Sequence, residues 1–439
     1  MTTAKTATKS TAPTESTGTT TDASTTKTNT TTTPTSDFTK GRADKWASSP
    51  HDPYAHDPAI VEKRELVDPP TFRPIPEFEG VHNIWPRGDR LEAVRKAAVK
   101  YRNRFLEQGT VLGVKSFDIA AAPYPAQYAF QNYTPHINPL INIINRMLVI
   151  QYEDFNGVPR TLVWEPTVAD GSKKAGFYSN LIGQGNGPKW LNKAMSTMYK
   201  MGSEKIMAKL FNDPDDILPS VGLSNNDVDY VSFDHLHVQD PRMIMGSTAA
   251  PAPGEKPFEP LFPHARLLVH EAELGTFESQ HPMQASWYVD GGLDGVDREV
   301  LSTFQGDVEI GVGISLLWTP GHTDGNHSLC INTPDGVWIS SENGMAADSW
   351  HPELSKIPGL RTQAAFYERE VVLNANTLED SIDQYDSMIK EKTMASYSKD
   401  HPHWKQILPS SECASWKRQW PLNPTVAYGG IDYGELKRR

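Results

Sequence analysis

The sequence predicts an α/β fold, and three features carry that reading. Strand-like segments dominate from residue 111, and short apolar strands alternate with helical patterns from residue 228. Two of those strands run directly into loops that present histidines. The 439 residues suffice for one large domain with elaborations or for two ordinary domains.

Residues 1–36 are half threonine, with Ser, Lys, Ala and Pro filling most of the rest. Such a tract has almost nothing to bury, so it cannot offset its ordering entropy and is expected to be disordered. Residues 37–110 are rich in proline and aromatic residues, including Trp46 and Trp85, and Arg90–Val99 has helical apolar spacing. This segment is expected to be an arm that wraps its own domain or a neighbouring subunit, which implies a homo- or hetero-oligomer. Val111–Phe117 and Arg146–Tyr152 read as strands. Asn156-Gly157 marks a turn, with Arg160–Trp164 as the return strand of a hairpin. Residues 188–211 read as a helix, Val371–Leu373 as a strand and Leu378–Met394 as a helix. Residues 416–439 read as a C-terminal tail.

The net charge of −12 disfavours a nucleic-acid partner, because an acidic surface repels phosphates. No run of about 18 apolar residues is present, so no membrane span is expected. The cysteines Cys330 and Cys413 are too few for a disulfide framework and fit a reducing cytoplasm.

The chemistry lies in two segments. The strand Asp227–Phe233 leads into Asp234-His235-Leu236-His237-Val238-Gln239-Asp240. Histidines at i and i+2 on extended chain share one side, and two neutral imidazoles on one side form half of a metal site. Alone, a His-x-His pair is more often a surface feature. The second segment is Leu316–Trp318 followed by Thr319-Pro320-Gly321-His322-Thr323, a strand whose tight turn presents a third histidine. A hairpin then returns as Val337–Ser340 and ends at Ser341-Glu342, placing a carboxylate just past a strand end.

This pattern resembles the metallo-β-lactamase superfamily, notably its lactonase-like and hydrolase branches, over roughly residues 111–415. The resemblance implies an αββα sandwich of two mixed β-sheets flanked by helices, with a metal held by His235, His237 and His322. The chain departs from the family at Gln239, where the family has aspartate, at Asp240, where it has histidine, and at Glu342, where it has aspartate. The family's terminal histidine falls at Ser411 in one alignment and at His401 in another. The resemblance therefore implies one zinc per chain. A second metal would need Asp240, Glu342 and His401 to converge, and such oxygen-rich ligation would tolerate iron or manganese. The implied activity is hydrolysis of a small lactone, ester or activated aryl ether by metal-activated water. Asp240 or Glu342 would move the proton, and Asp234 would serve as a general base or hold a ligand imidazole. Two other functions fit the same pattern, an iron-dependent oxidoreductase and a catalytically silent subunit of a hetero-oligomeric hydrolase. His270 and Glu271 read as structural and His327 as a supporting or packing residue. His264, His281 and His351, each beside a proline, read as solvated.

Deleting residues 1–36 is expected to leave the melting temperature unchanged, which scanning calorimetry of the truncated chain checks. A drop of several degrees would show that the tract packs somewhere.

Overall fold

The computed structural model describes residues 65–135, 140–181, 209–375, 380–414 and 422–438. The threonine-rich tract and most of the helix expected over 188–211 lie outside these residues. Within them no helix is long and apolar enough to cross a membrane.

The first half of the described chain holds strand β1 (Arg73–Pro74), helix α1 (Arg87–Glu107) and strands β2 (Gly113–Pro125), β3 (Leu140–Glu153), β4 (Pro159–Trp164) and β5 (Lys209–Leu210). Helix α2 (Pro214–Ser220), β6 (Tyr230–Ser232), β7 (Arg266–His270) and α3 (Glu271–Glu278) follow. Next come β8 (Leu301–Phe304), β9 (Val308–Gly311), β10 (Ile314–Trp318), β11 (His327–Thr333) and β12 (Gly336–Ser341). Helix α4 (Ser381–Met394) and strands β13 (Ile407–Pro409), β14 (Ser411–Cys413) and β15 (Asp432–Gly434) complete the framework, with shorter helical turns between them.

The strands form two mixed sheets. The nine-stranded sheet runs β15-β2-β3-β4-β6-β7-β8, with β14 added to β3 and β5 to β2. Its β2, β3 and β4 are antiparallel, whereas β4, β6, β7 and β8 run parallel. The six-stranded sheet runs β1-β9-β10-β11-β12-β13. Its ladders are antiparallel except for the β12–β13 pair. The expected hairpin is present between β3 and β4. Gly157 at φ 76° makes its turn, and the Asp154 carboxylate accepts from the backbone N–H groups of Asn156 and Val158.

Three apolar layers hold the sandwich together. Between the sheets, Leu148, Ile150, Trp164, Tyr230 and Leu268 meet Ile310, Leu316, Leu329 and Ile331. The other face of the nine-stranded sheet packs Val149, Val163, Val231 and Leu267 against Ile217 and Leu218 of α2. The other face of the six-stranded sheet packs Leu317, Cys330 and Ile339 beneath α1 and α4. Both sheets are covered on both faces, which explains why β10 and β11 are apolar along much of their length instead of alternating. This is the αββα sandwich that the resemblance implies.

The described part of the expected arm, residues 65–110, packs on its own domain. Its β1 pairs with β9 at the edge of the six-stranded sheet. Helix α1 buries Val94, Ala97, Ala98, Tyr101 and Phe105, a stripe at helical spacing, against that sheet and α4. Two other expectations are corrected. The described part of 416–439 is no free tail, because β15 closes the edge of the nine-stranded sheet against β2. Val371–Leu373 is buried but joins no ladder; its apolar residues fill the layers beside α4 and the neighbouring loops.

One buried carboxylate binds α4 to the six-stranded sheet. Glu391 accepts from the hydroxyls of Ser328 and Ser341, the side-chain amide of Asn343 and the indole N–H of Trp350. Glu391→Ala removes one acceptor from four buried donors, of which Ser328 and Asn343 keep contacts to Thr319, and each buried orphan costs about 1–3 kcal/mol. The variant is expected to lose several kcal/mol of stability in urea unfolding, and a loss below about 1 kcal/mol would contradict this account.

Candidate metal centre

The three histidines arrive from both sheets. Strand β6 stops at Ser232, and the loop beyond it, which bends at Asp234 and turns at His237–Val238 rather than staying extended, carries His235 and His237. Strand β10 stops at Trp318, and the Thr319–Gly321 turn delivers His322. Gly321 has φ 121°, and a Cβ there would fall 2.1 Å from the backbone nitrogen of Gln384, so only glycine lets this loop lie on α4. The two loops join directly, because the backbone N–H of His327 donates to the carbonyl of Asp234 at 2.9 Å.

The ring centroids of His235 lie 4.6 Å from His237 and 4.5 Å from His322, with His237 and His322 5.3 Å apart. A ligand nitrogen from each lies within 4.8 Å of the other two. All three side chains are buried, and neither ring nitrogen of His237 has a hydrogen-bond partner. Buried polar atoms are rarely left this way. Burial, and then the charges of the other two histidines, hold His237 far below the usual histidine range. Burial likewise depresses His322, aided by His235. Neutral imidazoles converging on one point are the donor set that zinc and neighbouring transition metals take, so these residues fit a metal.

Asp234 approaches this cluster from behind. Its Oδ1 lies 2.5 Å from Nδ1 of His235, which places the proton on Nδ1 and leaves Nε2 as the ligand atom. Burial opposes ionisation of Asp234, but the charge and hydrogen bond of His235 hold its carboxyl below the usual range. The buried Glu165 and Glu342 respond in the opposite direction. Burial, then the Asp234 charge, pushes both well above the carboxylate range. Glu165 accepts from the backbone N–H of Asp234 and sits at φ 55°, as does Val238. Two non-glycine residues in the left-handed region beside the cluster store strain of about 1–3 kcal/mol each.

Other expected ligands do not join the cluster. Among the described residues, the group close enough to share an ion contains the three histidines and no carboxylate. Asp240 is held in a bidentate pair by Arg242 at 2.8 and 2.9 Å, with Lys174 at 3.5 Å, so its charge is already matched. Gln239 donates to the hydroxyl of Thr167. Glu342 accepts from the backbone N–H of Ser411 at 2.9 Å. His401 instead is exposed in a turn, 5.9 Å from the Tyr428 ring. His401 therefore lies outside the three-histidine group, and Ser411 lies beside Glu342. His327 is the supporting residue expected, with Nε2 at 3.1 Å from the Ser232 hydroxyl. His270 caps α3 and stacks on Trp318 at 5.2 Å. His351 is buried rather than solvated, because it pairs with Glu353 and packs on Trp404.

Two residues escaped the sequence reading, Glu165 and Glu273. Glu165 follows a strand with no motif around it. Glu273 lies in the helix after β7, and its reach to Leu236, Tyr288 and Thr323 is visible only in three dimensions.

No family model matches the chain. Among solved structures, it is similar to a quorum-quenching N-acyl homoserine lactone lactonase at 16% identity, covering 60% of this chain and 89% of that one, with a TM-score of 0.37. A probable metal-dependent hydrolase from Staphylococcus aureus aligns at 14% identity over 65% of this chain and 83% of its own, with a TM-score of 0.42. AidC, a dizinc quorum-quenching lactonase, aligns at 10% identity over 74% and 95%, with a TM-score of 0.40. These likenesses are distant, and the fold rests on the strand order and layers described above.

Two outcomes are expected from this geometry. His235→Ala, His237→Ala and His322→Ala each lose bound metal in elemental analysis, while His401→Ala keeps it; full metal in the His322 variant would sink the assignment. Acid should also destabilise the protein through histidines outside the cluster. Burial holds His270 down to about 3 and His327 to about 4, against 6.5 for an ordinary histidine. Below pH 6.5 the unfolded chain therefore takes up protons that the folded chain refuses. Stability falls by about 1.4 kcal/mol per pH unit for each such histidine until the folded value is reached. Urea midpoints at pH 7 and pH 5 measure the effect.

Proposed function

We propose that this chain is a metal-dependent hydrolase of a small lactone, ester or comparably activated bond, working with one zinc ion per chain. The observation that carries the reading is the convergence of three buried imidazoles, with no carboxylate among the described groups close enough to share an ion. An ion held by three imidazoles with an open position lowers the pKa of water towards neutrality and polarises a carbonyl. The chain's own residues prepare that site. Asp234 fixes the tautomer of His235, and burial keeps His237 and His322 unprotonated at neutral pH. Trp287 lies 5.8 Å from His237 and stacks on Phe177 at 4.1 Å, giving the centre an apolar flank suited to an acyl or aryl group. Glu165 and Glu342, buried carboxyls whose ionisation burial and the Asp234 charge disfavour, are nearby groups available to exchange a proton.

The iron-dependent reading needs Asp240 as a ligand, and its pairing with Arg242 and Lys174 argues against it. Cys330 and Cys413 are buried and unpaired, which supports a reducing compartment such as the cytoplasm. Oligomerisation through the 37–110 segment, in which Trp85 stands 78% exposed, belongs to the same proposal.

Elemental analysis should find close to one zinc per chain, and a panel of lactones, esters and nitroaryl ethers should reveal turnover that chelators abolish. Two tightly bound metals would contradict the single-ion reading. Metal-loaded protein inert across the panel would contradict the hydrolase.

A further inference from the structure

The ligand loops leave different sheets, so a strand ladder alone cannot hold the three imidazoles in one geometry. A single buried carboxylate touches both loops. Glu273, the third residue of α3, has no solvent exposure. Its Oε1 accepts the backbone N–H of Leu236 at 2.7 Å, the peptide between His235 and His237. The same oxygen accepts the hydroxyl of Tyr288 at 3.2 Å, and the Tyr288 ring packs edge-on to His237 with centroids 4.8 Å apart. The other oxygen, Oε2, accepts the hydroxyl of Thr323, the residue after His322. Gly325 closes the arrangement, since a Cβ there would fall 2.0 Å from the backbone nitrogen of Glu273. Each of the three histidines is therefore one residue, or one ring contact, from this carboxylate.

We propose that Glu273 is the positioning residue that sets metal affinity at the three-histidine centre, by fixing both ligand loops to one geometry. The proposal rests on the metal-centre reading given above. The physical reason is that an ion gains full affinity only when its ligands are held at the right separation before it arrives. Outer partners of metal-binding side chains commonly change affinity by about 10- to 100-fold when removed. One buried carboxylate that accepts from three donors, two of them on the separate ligand loops, makes a stiff clamp.

Glu391 provides the control. It is an equally buried carboxylate with four donors, none of them beside a ligand histidine. Both residues support the fold, but of the two only Glu273 hydrogen-bonds directly to residues that adjoin the ligand histidines. Glu273→Gln keeps the shape but must turn an amide N–H towards Thr323 or Tyr288, which weakens the clamp without emptying the site.

The test is Co2+ titration of the metal-free chain, followed by visible absorption, beside backbone hydrogen exchange at Leu236. Glu273→Gln is expected to bind Co2+ about 10- to 100-fold more weakly, with altered absorption bands. Thr323→Val and Tyr288→Phe should weaken it by less, and Glu391→Gln should lower stability while leaving Co2+ affinity unchanged. In the metal-free Glu273→Gln chain the Leu236 amide should exchange faster. If Glu273→Gln does not fold, Thr323→Val, which removes one donor, carries the test. A folded Glu273→Gln chain with unaltered Co2+ affinity overturns the proposal alone. An unaltered chain that takes up no Co2+ overturns the metal reading, and the affinity role of Glu273 falls with it.

Discussion

Everything at the metal centre depends on the contact between the two sheets. His235 and His237 hang from the end of a strand in one sheet, and His322 from the end of a strand in the other. The ligand set therefore exists only while the sheets keep their spacing. Apolar burial supplies that spacing, at roughly 1.5–3 kcal/mol for each large side chain enclosed between them. Burial sets no direction, however, and polar contacts across the gap set the register. The indole N–H of Trp164 in one sheet donates to the Ser340 hydroxyl in the other at 3.1 Å. Ser232 meets His327 in the same way, one turn of chain from the ligands.

The outer layer shows the same division of labour. Helix α1 lies over the six-stranded sheet through an apolar stripe, and charges fix where it lies. Arg90 is buried on α1 and pairs with Asp386 at 2.7 Å and with Asp383, both on α4. Lys390 on α4 pairs with Asp307 at 2.9 Å and donates to the carbonyl of Trp318. Such pairs contribute little net stability, because desolvation offsets their attraction. Breaking one leaves an uncompensated buried charge, so they penalise any other placement of the helix. Lys390 thereby connects α4 to the end of β10, the strand that feeds the His322 loop.

The parts of this molecule legible in the sequence are those governed by local rules. The β3–β4 hairpin could be read because Asn-Gly defines its turn, and α1 because its apolar stripe has helical period. The three histidines could be read because each follows a recognisable strand end. The fate of the other candidate ligands could not, since it depends on what each side chain meets from distant parts of the chain. Asp240 looks like a ligand in sequence, and Arg242, two residues on, captures it. His401 looks like a terminal histidine, yet its turn faces solvent, while Ser411 is carried inward by the pairing of β14 with β3. His351 beside a proline looks solvated, but Trp404 covers it. Glu273 carries no motif at all, because its role consists of contacts to residues 37, 15 and 50 positions away.

The cluster also bears on the energy of the metal-free chain. Three imidazoles are removed from water and face one another, and burial together with the neighbouring rings disfavours protonation of His237 and His322. His237 keeps two nitrogens without hydrogen bonds, and Val238 beside it holds a left-handed backbone that a β-branched residue resists. None of these costs is met by a contact within the cluster itself. They are carried by the sheet packing and by Glu273, which hold the loops in place regardless. A ligand that binds the folded state alone then adds its binding free energy to the stability of the fold. Metal binding and fold stability are in this way linked, and the interlayer packing that assembles the site is also what makes an ion there stabilising.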